Sequence, residues 1–106
     1  MMDSIGWHIE ENYMKDFSLE SLARRLGMNK FNFCRSFKER FGRGFVSYLN
    51  SIRVKNAAEL LENPNLNITE IAYVVGYKSF TQFERAFKKI YNIPPREYRK
   101  RISKKL

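Results

Sequence analysis

With 106 residues, the chain has the size of one compact domain and cannot hold a substrate domain beside a cofactor domain. Hydrophobic residues make up 43% of the sequence and aromatic residues 15%, which excludes a disordered tail and favours a folded helical protein. Twenty Lys and Arg against eleven Asp and Glu leave a formal net charge of +9, and this excess indicates a polyanionic partner.

The charges are unevenly distributed along the chain. Residues 1–23 carry five acidic side chains against a single cation. By contrast, residues 24–55 carry nine Lys and Arg against Glu39, and residues 85–105 carry nine against Glu97. The sequence therefore has an acidic N-terminal end and two basic regions.

The cysteine content and the lack of long apolar segments indicate where in the cell the protein is located. The single cysteine, Cys34, cannot form a disulfide within the chain, so a reducing cytoplasm is the expected location. No apolar run approaches the roughly 20 residues that a membrane span needs. The N-terminus also lacks the basic-then-apolar order of a signal peptide. We expect a cytoplasmic protein with no membrane partner.

The spacing of apolar residues predicts a first helix near the N-terminus. Ile5, Ile9 and Tyr13 lie four residues apart, which puts them on one stripe of a helix that ends near Lys15. His8 falls on this helix, and we expect it at the surface.

Two further helices follow, with a glycine between them. Ser18 is a suitable N-cap for a short helix that ends at Gly27, a residue able to adopt a left-handed turn. Asn29 is the N-cap of the next helix, which runs to Phe41 before Gly42 ends it. A short helix, a turn with glycine and a second helix make a helix-turn-helix, whose second helix fits the roughly 12 Å major groove of B-DNA.

A longer linker helix is predicted next, because no helix-breaking residue follows Gly44 until Asn63 and Pro64. Its ~17 residues at 1.5 Å each give a length of ~26 Å. We therefore read residues 1–106 as one DNA-binding domain with three parts: a first helix-turn-helix subdomain (1–44), a linker helix (45–62) and a second helix-turn-helix subdomain (63–106).

The second half of the chain repeats the first. Residues from Asn67 to Gly76 match those from Ser18 to Gly27 at an offset of 49 positions. One extra residue in the turn then raises the offset to 50, so that the two recognition helices align residue by residue.

Turn and cap residues divide the second copy into helices. Asn67 with Glu70 has the pattern of a capping box, Ser79 is the next N-cap, and the pair Pro94 and Pro95 ends one helix and starts the last. The whole pattern predicts an all-α fold with seven helices and no strands, in which two helix-turn-helix subdomains are joined by the linker helix.

Each recognition helix has an inward and an outward face at 100° per residue. The inward edges are formed by Phe33, Phe37 and Phe41 in the first and by Phe83, Phe87 and Ile90 in the second. The outward chemistry suits base edges, because Arg pairs with guanine, Asn or Gln with adenine, and an apolar group with the thymine methyl. The candidate base-reading residues are Phe31, Asn32, Cys34, Arg35, Phe80, Thr81, Gln82 and Arg85.

Cations flank both recognition helices. Cations held against the DNA backbone release counterions and supply affinity that does not depend on sequence. The candidate phosphate-contacting residues are Lys30, Lys38, Arg43, Lys78 and Lys88. We expect some of them to be only solvated, and a solvated charge or a salt bridge is likewise the alternative for the two base-reading arginines.

Several outward side chains have a structural alternative. Phe31 either contacts thymine or packs against a neighbouring loop, and Phe80 either enters the groove or packs on the core. Glu84 either accepts from cytosine N4 or pairs with Lys88 four residues on, and the pair is favoured. For Cys34 a groove-facing position is favoured over a redox sensor, because nothing marks its thiol as activated.

Nothing in the sequence predicts catalysis. The lone His8 has no partners for a metal site or a catalytic triad, and no phosphate-cradling glycine loop is present. We therefore expect neither an enzyme nor a bound cofactor or metal.

Two long segments carry a family resemblance. NITEIAYVVGYKSFTQFERAFKKIYNIPPREYRK has an apolar helix ending in glycine and an aromatic, then Phe, Arg and Phe-Lys at fixed steps, then Pro, Tyr and Arg. SLESLARRLGMNKFNFCRSFKERFGRGFVSYLNSIRVKNAAELL is a more variable first unit with its linker. In these segments the chain resembles the AraC/XylS family of bacterial transcription regulators, over about residues 5–100.

The resemblance implies how such a domain acts. It implies two recognition helices placed in successive major-groove segments on one face of double-stranded DNA, at sites that are asymmetric and often bent. It also implies activation of transcription through RNA polymerase. The family's base-contacting positions fall on Phe31, Cys34 and Arg35 in the first unit and on Phe80, Thr81 and Arg85 in the second. A cysteine is a departure from the family, because its thiol makes only weak hydrogen bonds.

Most family members carry a separate sensing, receiver or dimerisation domain. We therefore expect this chain to be the C-terminal output domain of a larger regulator rather than a freestanding one. Two other function classes stay open: a helical module that binds DNA or RNA without sequence preference, and an adaptor that binds an acidic protein.

Overall fold

The computed structural model describes residues 1–104 and contains seven α-helices and no strand among them. The helices are α1 (Met2–Glu11), α2 (Leu19–Arg25), α3 (Lys30–Phe41), α4 (Phe45–Leu60), α5 (Ile68–Val74), α6 (Phe80–Tyr91) and α7 (Pro95–Lys104). The predicted all-α fold of seven helices is confirmed. Residues 105 and 106, the end of the predicted second subdomain, lie outside the described residues. Within the described chain, no helix is both long and apolar enough to cross a membrane.

The chain forms two compact units, residues 1–50 and residue 51 onward. The boundary falls within α4, which contributes to both units. The first unit contains the pair α2 and α3, and the second contains the pair α5 and α6. Each unit therefore holds one complete helix-turn-helix.

The four predicted N-caps are all present. In each, a side-chain oxygen accepts a hydrogen bond from a backbone N–H two or three residues on, at 2.7 to 3.2 Å. A cap of this kind contributes ~1 kcal/mol to helix stability. The four caps are Ser18 on α2, Asn29 on α3, Asn67 on α5 and Ser79 on α6.

Left-handed backbone ends both recognition helices. Gly42 follows α3 with φ of 78°, and Asn92 follows α6 with φ of 68°. The prediction that Pro94 and Pro95 end α6 is therefore wrong. Asn92 already makes the turn, because asparagine tolerates this conformation. The prediction that the pair starts the last helix is confirmed, because α7 begins at Pro95, where the missing N–H costs nothing.

The first helix differs from its prediction in two ways. It ends at Glu11 rather than near Lys15, because the side-chain amide of Asn12 donates a hydrogen bond to the backbone carbonyl of His8 at 2.9 Å and closes the last turn. His8 is half-buried rather than at the surface, since its ring packs edge-on against Phe17 with the ring centroids 5.8 Å apart.

A basic side chain closes the end of α4. The helix ends at Leu60, within the predicted range of 45–62. Just beyond it, Arg99 donates from Nε to the carbonyl of Leu61 at 3.1 Å and from Nη2 to that of Asn63 at 3.0 Å. Carbonyls at a helix C-terminus lack partners within the helix, and a cation there is favourable. Arg99 thus holds α7 to the end of α4.

The core of the first unit is centred on Phe37 of α3. Its side chain is fully buried, and its ring centroid lies 4.6 Å from that of Phe41 and 5.3 Å from that of Tyr48. Phe33 is also fully buried, one turn earlier on the same face. Burying such a ring contributes roughly 1.5–3 kcal/mol, so these side chains hold α3 in place.

The second unit repeats this arrangement around Phe87 of α6. Its ring centroid lies 4.8 Å from that of Tyr91 and 5.3 Å from that of Tyr98. The sequence offset of 50 therefore corresponds to an equivalent packing cluster. Ile90 was predicted to face inward as well, and this is wrong. Its side chain is 43% exposed, because Tyr91 takes the inward position beside Phe87.

Replacing Gly76 with alanine should destabilise the protein more than the same change at the equivalent Gly27. Gly27 has φ of 66° and open space around a new Cβ, so Gly27→Ala should cost ~1 kcal/mol. Gly76 has φ of 114°, and a Cβ there would lie 2.8 Å from Nε of Arg53 and displace that group from Tyr77. We expect ~2–3 kcal/mol for Gly76→Ala. Urea unfolding measures both, and equal costs would contradict the role of Arg53.

Candidate nucleic-acid interface

The outward face of α3 presents an aromatic ring beside an arginine. Phe31 is 74% exposed, which disfavours the alternative that it packs against a neighbouring loop. The guanidinium carbon of Arg35 lies 6.0 Å from the centroid of that ring. Together with Lys30 and the exposed Cys34, these side chains line an open cavity of about 600 Å³. The structure thus brings four of the predicted site residues together.

Asn32 differs from its neighbours on α3. Its side chain is half-buried, and its Oδ1 accepts a hydrogen bond from Nη2 of Arg35 at 3.2 Å. That bond holds one nitrogen of the guanidinium and limits the directions in which Arg35 can point. The two side chains are thus linked on the outward face, and a base contact by Asn32 itself stays a prediction.

The outward face of α6 carries a stripe of polar residues. Its members are spaced i, i+3, i+4 and i+7, so they share one face of the helix. The stripe consists of Thr81, Glu84, Arg85 and Lys88. Together with Pro94, these residues line an open cleft of about 300 Å³. The favoured ion pair between Glu84 and Lys88 is absent from the described part of the chain, and that prediction is wrong. Both side chains are exposed.

Two predicted base readers on α6 lie outside this cleft. Gln82 is exposed but is not part of its lining. Phe80 is half-buried, with its ring centroid 6.1 Å from that of the fully buried Phe83. Phe80 therefore packs on the edge of the core and keeps part of its ring accessible.

The candidate phosphate-contacting cations fall into two groups. Lys38, Arg43 and Lys88 are exposed, and no carboxylate of the described chain forms an ion pair with them. Lys30 is exposed too, but its Nζ lies 3.6 Å from Oε2 of Glu20. A backbone hydrogen bond at Glu20 and then the nearby Lys30 ammonium lower the pKa of that carboxyl. The remaining candidate, Lys78, is exposed and has a partner within the protein.

Other cations of the two basic regions are engaged within the protein. Arg40 forms an ion pair with Asp3 at 2.5 Å, and Arg101 forms one with Glu97 at 3.5 Å. The large net charge is therefore not spread evenly over all basic residues. Part of it stabilises the fold, and the outward faces of α3 and α6 keep cations that the fold does not use.

Comparison with known proteins identifies the family. Residues 22–101 match the helix-turn-helix domain family, which is most of the chain. The chain belongs to the AraC/XylS family of transcription regulators. As a relative of this AraC-type domain, the multiple antibiotic resistance protein MarA of Escherichia coli K12 is 32% identical over 95 residues, which cover 90% of this chain and 74% of MarA.

Two solved structures have the same fold as this AraC-type domain. The C-terminal domain of AraT, a response regulator from Geobacillus stearothermophilus, matches with a TM-score of 0.85 and 35% identity, over 93% of this chain and 83% of that one. The DNA-binding domain of the global transcriptional factor AdpA, in complex with a target DNA, matches with a TM-score of 0.85 and 26% identity, over 92% and 88%. The chain spans only 12 to 34% of the length of four other regulators that it matches.

In this AraC-type domain, a residue of α4 packs against the turn that precedes the second recognition helix. Arg53 of α4 is half-buried, and its guanidinium carbon lies 5.3 Å from the ring centroid of Tyr77, over the backbone of Gly76. Nothing in the sequence pattern predicts this role. The turn between α5 and α6 is thereby packed from one side.

The burial of Tyr77 predicts a pH dependence of stability for the AraC-type domain. Burial raises its pKa to about 12, with a smaller opposite effect of Arg53, against about 10 for a solvated tyrosine. Because the folded state favours the neutral phenol, this contribution is complete below about pH 10 and is lost as the pH rises towards 12. In Tyr77→Phe, the fall in unfolding free energy over this range should be smaller by up to about 2 kcal/mol. Urea unfolding at several pH values tests this, and identical pH profiles for the two proteins would contradict it.

Proposed function

We propose that this chain is a sequence-specific reader of double-stranded DNA that inserts α3 and α6 into successive segments of the major groove. The observation that carries the proposal is an equivalent geometry in both units. In each, an exposed arginine lies two residues before a fully buried phenylalanine: Arg35 before Phe37, and Arg85 before Phe87. The buried ring turns the arginine outward, where it can bond O6 and N7 of guanine.

The neighbouring residues supply the rest of the base contacts in this proposal. The exposed ring of Phe31 contacts a thymine methyl group, while Asn32 orients the Arg35 guanidinium towards its guanine. On α6, the hydroxyl of Thr81 and the amide of Gln82 bond base edges. Two residues contribute less: Cys34 makes weak contacts, and Phe80 offers only the accessible part of its ring.

The cations that the fold leaves without ionic partners supply affinity for the backbone. Lys38, Arg43 and Lys88 contact phosphates directly in this proposal. Lys30 and Lys78 exchange or share an existing partner when DNA binds, so their contribution is smaller. These contacts fix the protein on the duplex and carry no sequence information.

The proposal extends to the whole regulator. We infer that this domain is the C-terminal output domain of a larger protein and that it activates transcription through RNA polymerase. The similarity to the C-terminal domain of the response regulator AraT supports the first part of this inference. A sensing, receiver or dimerisation domain would then control when the output domain acts.

Loss of either arginine should alter a different part of the recognised sequence. Duplexes selected from a random pool by the wild-type protein define the site. Arg35→Ala should lose a guanine preference in one segment and Arg85→Ala in another, with each loss costing roughly 1–3 kcal/mol at that base pair. Equal binding of selected and random duplexes by the wild type would instead support binding without sequence preference. An unchanged base preference in both variants would contradict the arginine assignments.

Removal of a phosphate-contacting cation should act without regard to sequence. For Lys88→Ala we expect the slope of log K against log salt concentration to become shallower by about 0.9, with base preference unchanged. The matched control is Lys55→Ala, an exposed lysine on α4 that should leave the slope as it is. Fluorescence anisotropy at several salt concentrations measures both slopes. The same slope in wild type and Lys88→Ala would exclude Lys88 from the backbone contacts.

A further inference from the structure

The outward stripes of the two recognition helices share two cations and differ in the residues beside them. At the offset of 50 residues, the outward stripes of α3 and α6 align position by position. Two pairs are identical, Arg35 with Arg85 and Lys38 with Lys88, and two pairs differ, Phe31 with Thr81 and Cys34 with Glu84. Within the stripes, any difference in what the two helices read must therefore come from the last two pairs.

Glu84 is an unexpected residue on a helix that approaches DNA, because its side chain is acidic. Its side chain is exposed, it lines the α6 cleft beside Arg85, and no ion pair or hydrogen bond within the described chain engages its carboxylate. An uncompensated negative charge there is repelled by every phosphate that comes near. It therefore lowers affinity for DNA in general, unless a donor on the DNA meets it.

The chemistry of the base edges identifies that donor. In the major groove, guanine presents two acceptors, and thymine an acceptor and a methyl group. Adenine presents an amino donor, but its N7 acceptor lies next to that donor and repels a carboxylate. Only cytosine offers an amino donor, at N4, without a neighbouring purine nitrogen. A carboxylate on this face thus favours cytosine and penalises the other three bases.

We propose that Glu84 is a specificity-determining residue that selects cytosine in the segment read by α6, next to the guanine bound by Arg85. This inference rests on the proposed DNA-reading function and deepens it. Cys34, at the equivalent place on α3, can make only weak hydrogen bonds, so the α3 segment lacks this selection. The two helices then prefer different sequences, and the protein binds its site in one orientation.

Selection from a random duplex pool, sequenced for each variant, tests the proposal. Wild-type protein should enrich cytosine at one position of the segment that depends on Arg85. Glu84→Gln should lower that preference roughly tenfold. At the same time it should bind random duplexes more tightly, because a repelled charge is gone. A lower cytosine preference together with tighter binding of random duplexes indicates a lost base contact, because a general loss of structure would weaken all binding.

The repeat supplies matched variants. Glu84→Cys gives α6 the residue of α3 and should abolish the cytosine preference. Cys34→Glu, the reverse exchange, should create a cytosine preference in the segment that depends on Arg35, and this gain does not depend on how well a position-84 variant folds. Glu62→Gln, which removes an exposed charge after α4, should leave the base profile as it is.

The outcomes separate the two proposals. If wild-type protein enriches a site but both position-84 variants keep its base profile, and Cys34→Glu gains nothing, the role of Glu84 is refuted while DNA reading stands. If wild-type protein enriches no sequence at all, the proposed function fails, and the role of Glu84 fails with it.

Discussion

A fully buried phenylalanine near the middle of each recognition helix determines which way that helix faces. Phe37 and Phe87 each sit within a cluster of aromatic rings at centroid distances of 4.6 to 5.9 Å. Rotating α3 by one residue would turn that ring by 100° towards water and carry Lys38 into the cluster. Exposing the ring costs roughly 1.5–3 kcal/mol, and burying an unpaired charge costs more. The outward face is therefore as fixed as the core.

The same constraint divides the basic residues between two tasks. Three cations that lie off the outward faces have partners in the fold: Arg99 binds carbonyls beyond α4, Arg40 pairs with Asp3, and Arg53 stacks over Tyr77. On the outward faces, Lys30 pairs with Glu20. The stripe cations Lys38 and Lys88 form no ion pair within the described chain, and Glu84 on the α6 stripe stands apart. Charge that the fold does not neutralise is what a polyanion can use.

Local sequence rules predicted most of the fold and only part of the site. The N-caps, the repeat and the buried phenylalanines follow from short-range patterns, because cap chemistry and helical period are local properties. Ile90 shows the limit: periodicity gives the direction of the inward face but not its width, which the packing of Tyr91 decides. The link from Asn32 to Arg35 depends on side-chain conformation, and the contact of Arg53 with Gly76 joins residues far apart in sequence. Neither can be read from spacing.

The separation of inward and outward residues affects how the DNA preference of such a regulator can evolve. Four outward residues have little part in either hydrophobic centre, because all are exposed and one of them, Phe31, is 74% exposed: Phe31, Cys34, Thr81 and Glu84. Under the proposed reading of DNA, a substitution at one of these places should alter the base preference of one helix and leave folding intact. Under the same proposal, one helix keeps its base preference while the other changes, so new binding sites are acquired one segment at a time.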